Sequence, residues 1–254
     1  MFNVIHGKVS TARSYLAVRV WYLYCMGERL VQLVPEEWYH CYNRGTDKRK
    51  IFMGKNDYER MLALLCACNS IKPVHVSNFE QGFRSKSLED VLRLDRRSRL
   101  VDIGAYSLMP NHFHMLLRER APGGITAFMR KFGTAYTMYF NIRYERTGVL
   151  FQGTFKAKHV DTDQYFNRVL NYIHANHAEL YEPKWKNGII RSKPLIKKKL
   201  VEYRYSSLSD YCGSARPESL IINKNAVLHL LDRQPRLDDL LDDARTFARY
   251  EESL

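Results

Sequence analysis

The run Tyr106-Ser107-Leu108-Met109-Pro110-Asn111-His112-Phe113-His114-Met115-Leu116-Leu117 constrains this chain more than any other. Two mostly apolar stretches flank Pro110-Asn111, a pair suited to a turn. The run predicts strand, turn, strand. On a strand, successive side chains point to opposite faces. His112 and His114 then share one side, and Phe113 enters the core. Two imidazoles on one face of a rigid strand make half of a divalent-metal site. The simpler alternative is a pair of ordinary strand histidines.

The other half has to come from elsewhere in the chain. Tyr165 to Asn176 reads as a helix, opened by the capping run Asp161-Thr162-Asp163. Phe166, Val169, Leu170 and Ile173 form an apolar stripe that packs it on the sheet. Tyr172 and Asn176 lie four residues apart, so they share a face at the edge of that stripe. An asparagine oxygen can complete a site begun by two imidazoles, and a tyrosine one turn away reaches whatever the metal holds. If that is a DNA phosphate, the parts are a nucleophile, a Lewis acid and a positioned electrophile. Free tyrosine ionises near pKa 10, so the hydroxyl needs activation. Tyr165, two turns earlier on the same face, is the rival nucleophile, and a core tyrosine with a wet hydroxyl is the plainer reading of either.

Charge favours a polyanion as substrate. Lysine and arginine total 40 against 27 acidic residues, a formal net charge of +13. Such a surplus fits nucleic acid, the alternative being a merely basic soluble protein. The 17 tyrosines and 12 phenylalanines serve a core and can also stack bases. Cys25, Cys41, Cys66, Cys68 and Cys212 show no CxxC pairing of a zinc site, and are expected to be reduced, structural thiols of a cytosolic protein. No apolar run reaches membrane-spanning length, so no membrane partner is expected.

Along the chain, residues 1–28 read as an N-terminal extension without fixed structure. Residues 29–180 read as one catalytic domain. Within it, Trp38–Tyr42 is a strand ended by Asn43-Arg44-Gly45, and Asn56-Asp57 caps a helix carrying Met61, Leu64, Leu65 and Cys68. A polar insertion at 72–100 holds a short helix near Leu88–Leu94. Strands follow at Val101–Ser107 and His112–Arg118. A long amphipathic helix runs from Gly123-Gly124 to Thr147-Gly148, with one or two short strands in Phe151–Val160. Residues 181–254 read as a tail with a basic loop, Lys193–Lys199, and an amphipathic helix on Leu237, Leu240, Leu241, Ala244 and Phe247. The absence of a Gly-rich phosphate loop favours α+β over a doubly wound sheet.

In order along the chain, these motifs resemble the one-tyrosine HUH transposases of insertion sequences, most closely the REP-associated tyrosine transposase branch. The resemblance spans about residues 29–212. It rests on Trp38-Tyr39-His40-Cys41-Tyr42-Asn43-Arg44-Gly45, Ile51-Phe52, Asp57-Tyr58, Leu108 to His114, Gly123-Gly124-Ile125, Phe128-Met129, Phe151-Gln152-Gly153, Phe155-Lys156, Tyr172-Ile173-His174-Ala175-Asn176 and Tyr205-Ser206-Ser207. It implies a ferredoxin-like α+β domain with a central antiparallel sheet and flanking helices. It implies cleavage and rejoining of single-stranded DNA through a 5′-phosphotyrosine, at sites with hairpin structure. Carried over, Tyr172 is the nucleophile, and His112, His114 and Asn176 hold Mg²⁺ or Mn²⁺. Two imidazoles make a better Mn²⁺ than Mg²⁺ site. Arg44, Gln152, Lys156 and Lys158, in matched segments, are expected to touch phosphates or bases. The protein would act as a monomer or a homodimer, in the cytoplasm.

One departure is Asn176-His177, where the family usually has Asn-Pro. His177 does not stop the helix as proline would. It reads as a surface histidine at a helix end, with metal ligation as the alternative. Three other functions compete. A domesticated relative would bind DNA hairpins without cutting. A replication-initiator or relaxase nuclease would show a third nearby histidine, and none follows His114 before His159. An unrelated metallohydrolase would not need Tyr172.

Overall fold

Four antiparallel strands make one sheet in the order β2-β3-β1-β4. They are β1 (Trp38–Arg44), β2 (Val101–Met109), β3 (His112–Glu119) and β4 (Lys156–Val160). The computed structural model describes residues 31–71, 87–93, 98–231 and 237–252. Helix α1 (Lys55–Ala67) and the short α2 (Leu88–Leu92) lie between β1 and β2, and α3 (Gly124–Arg143) links β3 to β4. This is the ferredoxin-like split βαβ plan, α+β with helices against the sheet. Beyond it come α4 (Asp163–Ala175), α5 (Lys193–Glu202), α6 (Leu208–Tyr211), α7 (Lys224–Leu228) and α8 (Leu237–Glu252).

Side-chain alternation assigns the two sheet faces. On one, Phe113 meets Phe132 of α3 edge to face, ring centroids 5.5 Å apart. On the other, Trp38, Leu116 and Val160 pack with Ala105 against Phe166, Val169, Leu170 and Ile173 of α4. The stripe read from the sequence is therefore the contact surface of α4. A bulge between Ile103 and Ala105 brings Ala105 to this face. Gly104 sits in the bulge because a Cβ there would come within 2.7 Å of the Trp38 ring and 2.9 Å of Val227. Helix α8 covers α4 from outside: Phe247 joins the Trp38 cluster, and Leu240, Leu241 and Ala244 pack with Ala175 and Trp185.

Several boundaries differ from the sequence expectation. Strand β1 runs through Arg44 instead of ending at Asn43, because Arg44 pairs with His112 across the ladder. Gly54 is the N-cap of α1, and Asp57 is its third residue, whose carboxylate accepts from the Met53 and Gly54 amides at 2.7 and 3.0 Å. Helix α3 ends at Arg143, short of Thr147-Gly148. The basic segment Lys193–Lys199 is helix, not loop: the Ser192 hydroxyl accepts from the Leu195 amide and Pro194 sits in the first turn. Cys212 is exposed, unlike the buried Cys41 and Cys66. The expected extension at 1–28 and most of the insertion lie outside the described residues.

Candidate active site

The β2–β3 hairpin turns at Pro110-Asn111 and delivers both histidines to the α4 face. Asn111 is anchored by its amide nitrogen, which donates to the Lys48 carbonyl at 3.2 Å. Its amide oxygen therefore faces the His112 Nδ1, 2.7 Å away, and can only accept. Burial pushes His112 down to about 4, so the ring is neutral near pH 7. A neutral imidazole carries one proton, and Asn111 fixes it on Nδ1. The His112 Nε2 keeps its lone pair and faces the Asn176 amide oxygen at 3.0 Å.

His114 is buried, and its Nδ1 lies 2.8 Å from Nε2 of His40, one strand over on the same face. Burial pushes His40 down to about 3 and His114 well below the usual histidine range. Two neutral rings in that contact share one proton. With the proton on His114 Nδ1, the other His114 nitrogen is a free donor atom for a metal, as outer-shell partners of ligating histidines arrange.

Helix α4 brings the remaining parts. The Thr162 hydroxyl caps it by accepting from the Tyr165 amide at 3.2 Å. At Asn176 the helix tightens into a 3-10 turn, Asn176–Leu180. Asn176 is buried, and its amide nitrogen has no partner among the described residues. The Tyr172 ring lies edge-on to His114, centroids 5.4 Å apart, and 4.7 Å from Phe247. The Tyr165 ring lies 5.6 Å from Phe247, tilted at 43°, and lines a different cleft, with His159 and Arg168. His177 is neither exposed nor turned to this site. It is fully buried, its Nε2 donates to the Leu200 carbonyl at 3.0 Å, and its ring stacks on Tyr203. The chain continues past Asn176 as a 3-10 turn, so His177 fills core where proline would have stopped the helix.

His112, His114 and Tyr172 open on a cavity of about 310 Å³. Arg44, Gln152 and Lys156 line it as well, while Lys158 lies next along β4, opposite His40. Five site residues were not singled out from the sequence: His40, Tyr42, Asn111, Glu179 and Lys186. Alternation along β1 puts His40 and Tyr42 on one face, but only the β1–β3 register shows which face that is. Asn111 read simply as turn. Glu179 and Lys186 carry no motif.

The donor set fits a divalent ion. His112 Nε2 and Asn176 Oδ1 lie 3.0 Å apart, and with the His112 proton on Nδ1 both would offer lone pairs to an ion. Among the described residues no group of three His, Cys, Asp or Glu side chains could hold a metal. The set here reaches three only through the Asn176 amide.

A structure of a REP-associated tyrosine transposase bound to a REP hairpin is similar over 75% of this chain and 88% of its own, with 11% identity and a TM-score of 0.45. No curated protein matches. The family model described as "Transposase IS200 like" matches residues 34–176, more than half of the chain and the whole span from β1 to Asn176. The chain belongs to the IS200-like transposase family.

Proposed function

We propose that this transposase nicks and rejoins single-stranded DNA at hairpin-containing repeats, with Tyr172 as the nucleophile. One observation carries the reading: Tyr172, His112, His114 and Asn176, from two distant segments, open on one cavity or border it, within a wall of Arg44, Gln152 and Lys156. The basic wall supplies a path for a phosphate backbone. His112, His114 and Asn176 would hold Mg²⁺ or Mn²⁺, which supplies Lewis-acid polarisation of a phosphoryl oxygen when bound. The chain's own residues do the rest. Asn111 and His40 hold the imidazoles in the protonation states that leave donor atoms toward the cavity. Phe247 and the Trp38 cluster keep the tyrosine ring in place beside them.

Attack forms a bond from the Tyr172 oxygen to phosphorus and breaks the bond to the 3′ oxygen. The phenolic proton leaves to solvent, and the 3′ oxygen takes one up. The 5′-phosphotyrosine conserves the phosphodiester energy, so rejoining needs no nucleotide cofactor. The acting species is a monomer or a homodimer. Among the described residues no helix is long and apolar enough to cross a membrane. We place the reaction in the cytoplasm, where the DNA is. The test is an internally labelled single-stranded oligonucleotide carrying the repeat hairpin. With Mn²⁺ it should yield a protein-linked product, absent with chelator and with a fully duplex oligonucleotide. Tight hairpin binding without cleavage under either metal would favour the non-catalytic binder.

A further inference from the structure

We propose that Lys186 grips the scissile phosphate beside Tyr172, and that Glu179 holds Lys186 in place until DNA arrives. The inference rests on the function proposed above and concerns residues beyond the span matched by the family model.

Lysine ammonium groups normally stay in water. The Lys186 side chain is only 28% exposed. Its position is built by its neighbour. Trp185 is fully buried among Ala175, Ala178 and Leu241, and fixes a 3-10 turn, Trp185–Asn187. Gly188 closes that turn at φ 82°, where its amide donates to the Trp185 carbonyl at 2.9 Å. The backbone of residue 186 is therefore held against the end of the tyrosine helix. From there the ammonium lies 5.9 Å from the centre of the Tyr172 ring, over its face. It lines the same cavity as His112 and His114, and its charge helps keep both rings neutral.

In this position, among the described residues, the ammonium has one carboxylate partner, Glu179 Oε2 at 3.3 Å. Glu179 comes from the 3-10 turn that starts at Asn176 and is half exposed. A carboxylate in a cavity that must admit a phosphate is misplaced, unless it substitutes for that phosphate. Both are anions that a lysine ammonium accepts as point charges. When a scissile phosphate enters beside Tyr172, it competes for Lys186, and Glu179 swings to solvent. The Lys186 side chain then neutralises charge on the phosphoryl oxygens. Arg44 and Lys156, which line the same cavity, would track the flanking backbone.

Opposite signs test this pair. Once the wild-type protein has mapped its cleavage position, binding is measured in chelator on the Tyr172→Phe full chain. Two oligonucleotides are compared, one with a phosphate and one with an uncharged methylphosphonate at the scissile position. Methylphosphonate should weaken binding about tenfold, the scale of one charge-assisted contact. Adding Lys186→Met should bring the two oligonucleotides within about twofold, and Lys186→Arg should restore the difference. Adding Glu179→Gln should tighten the phosphate form several-fold and leave the methylphosphonate form unchanged, a gain that misfolding cannot imitate. A methylphosphonate penalty that is the same with and without Lys186, or no gain in Glu179→Gln, overturns the proposal. If the wild-type protein cleaves no hairpin oligonucleotide at all, the proposed function fails first and this inference falls with it.

Discussion

His40→Phe isolates what the histidine pair contributes. In the folded protein, His40 Nε2 lies 2.8 Å from His114 Nδ1, and His40 Nδ1 is buried with no partner among the described residues. Phenylalanine keeps the ring and removes both nitrogens. Without metal, little is lost: His114 can place its proton on the other nitrogen, and a buried orphan atom disappears. The apoprotein should keep its Tm within a few degrees. With metal, the His114 proton must sit on Nδ1, where it now has no acceptor. A buried unsatisfied donor costs about 1–3 kcal/mol. At 1.4 kcal/mol per factor of ten, that is roughly five- to 150-fold in metal affinity. The range agrees with the ~10–100-fold seen when an outer-shell partner of a ligating histidine is removed. The assay is Mn²⁺ titration followed by electron paramagnetic resonance, wild type against His40→Phe, without DNA. Equal Mn²⁺ affinities would refute the shared-proton arrangement. A collapse of the apoprotein would refute the claim that the pair is nearly neutral to folding.

Four further outcomes follow from the same geometry. Acid should destabilise the fold: His40 and His174 are held down to about 3 and His177 to about 4 by burial. The unfolded chain takes up these protons near pH 6.5, so stability is full above that value and falls toward pH 4. The slope is up to about 1.4 kcal/mol per pH unit for each histidine, and a Tm equal at pH 7.5 and pH 5 would contradict the neutral buried rings. Gly104→Ala should cost about 1–3 kcal/mol in urea unfolding, because its Cβ collides with Trp38 and Val227. Asn111→Ala should weaken Mn²⁺ binding about tenfold while DNA binding in chelator is retained, since His112 loses the acceptor that fixes its proton. Tyr165→Phe should leave DNA cleavage within about twofold of wild type, the scale of a surface change, because its ring faces another cleft.

How much of this was legible beforehand depends on range. The hairpin around Pro110-Asn111 and the stripe of α4 are local, periodic patterns, and they survive folding. The α+β plan follows from the order of such segments. What failed were ends and short-range chemistry. Lys193–Lys199 looked like a loop because its charges mask the Ser192 cap and the Ile196 and Leu200 anchors, which are buried only by tertiary contact. His177 looked like a surface residue because nothing local announces the Leu200 carbonyl that receives its proton. His40 and Lys186 reach the site through strand register and through a turn held by Trp185. Those contacts span too many residues for any sequence period to carry.

The central claim is that the Tyr172 oxygen becomes covalently bound to DNA. The direct measurement is peptide mapping by mass spectrometry of the adduct formed with Mn²⁺ and a hairpin-bearing single strand. The account predicts a nucleotide remnant on Tyr172, no adduct from Tyr172→Phe, and an undiminished one from Tyr165→Phe. An adduct mapped to another residue, or one that persists in Tyr172→Phe, would contradict it.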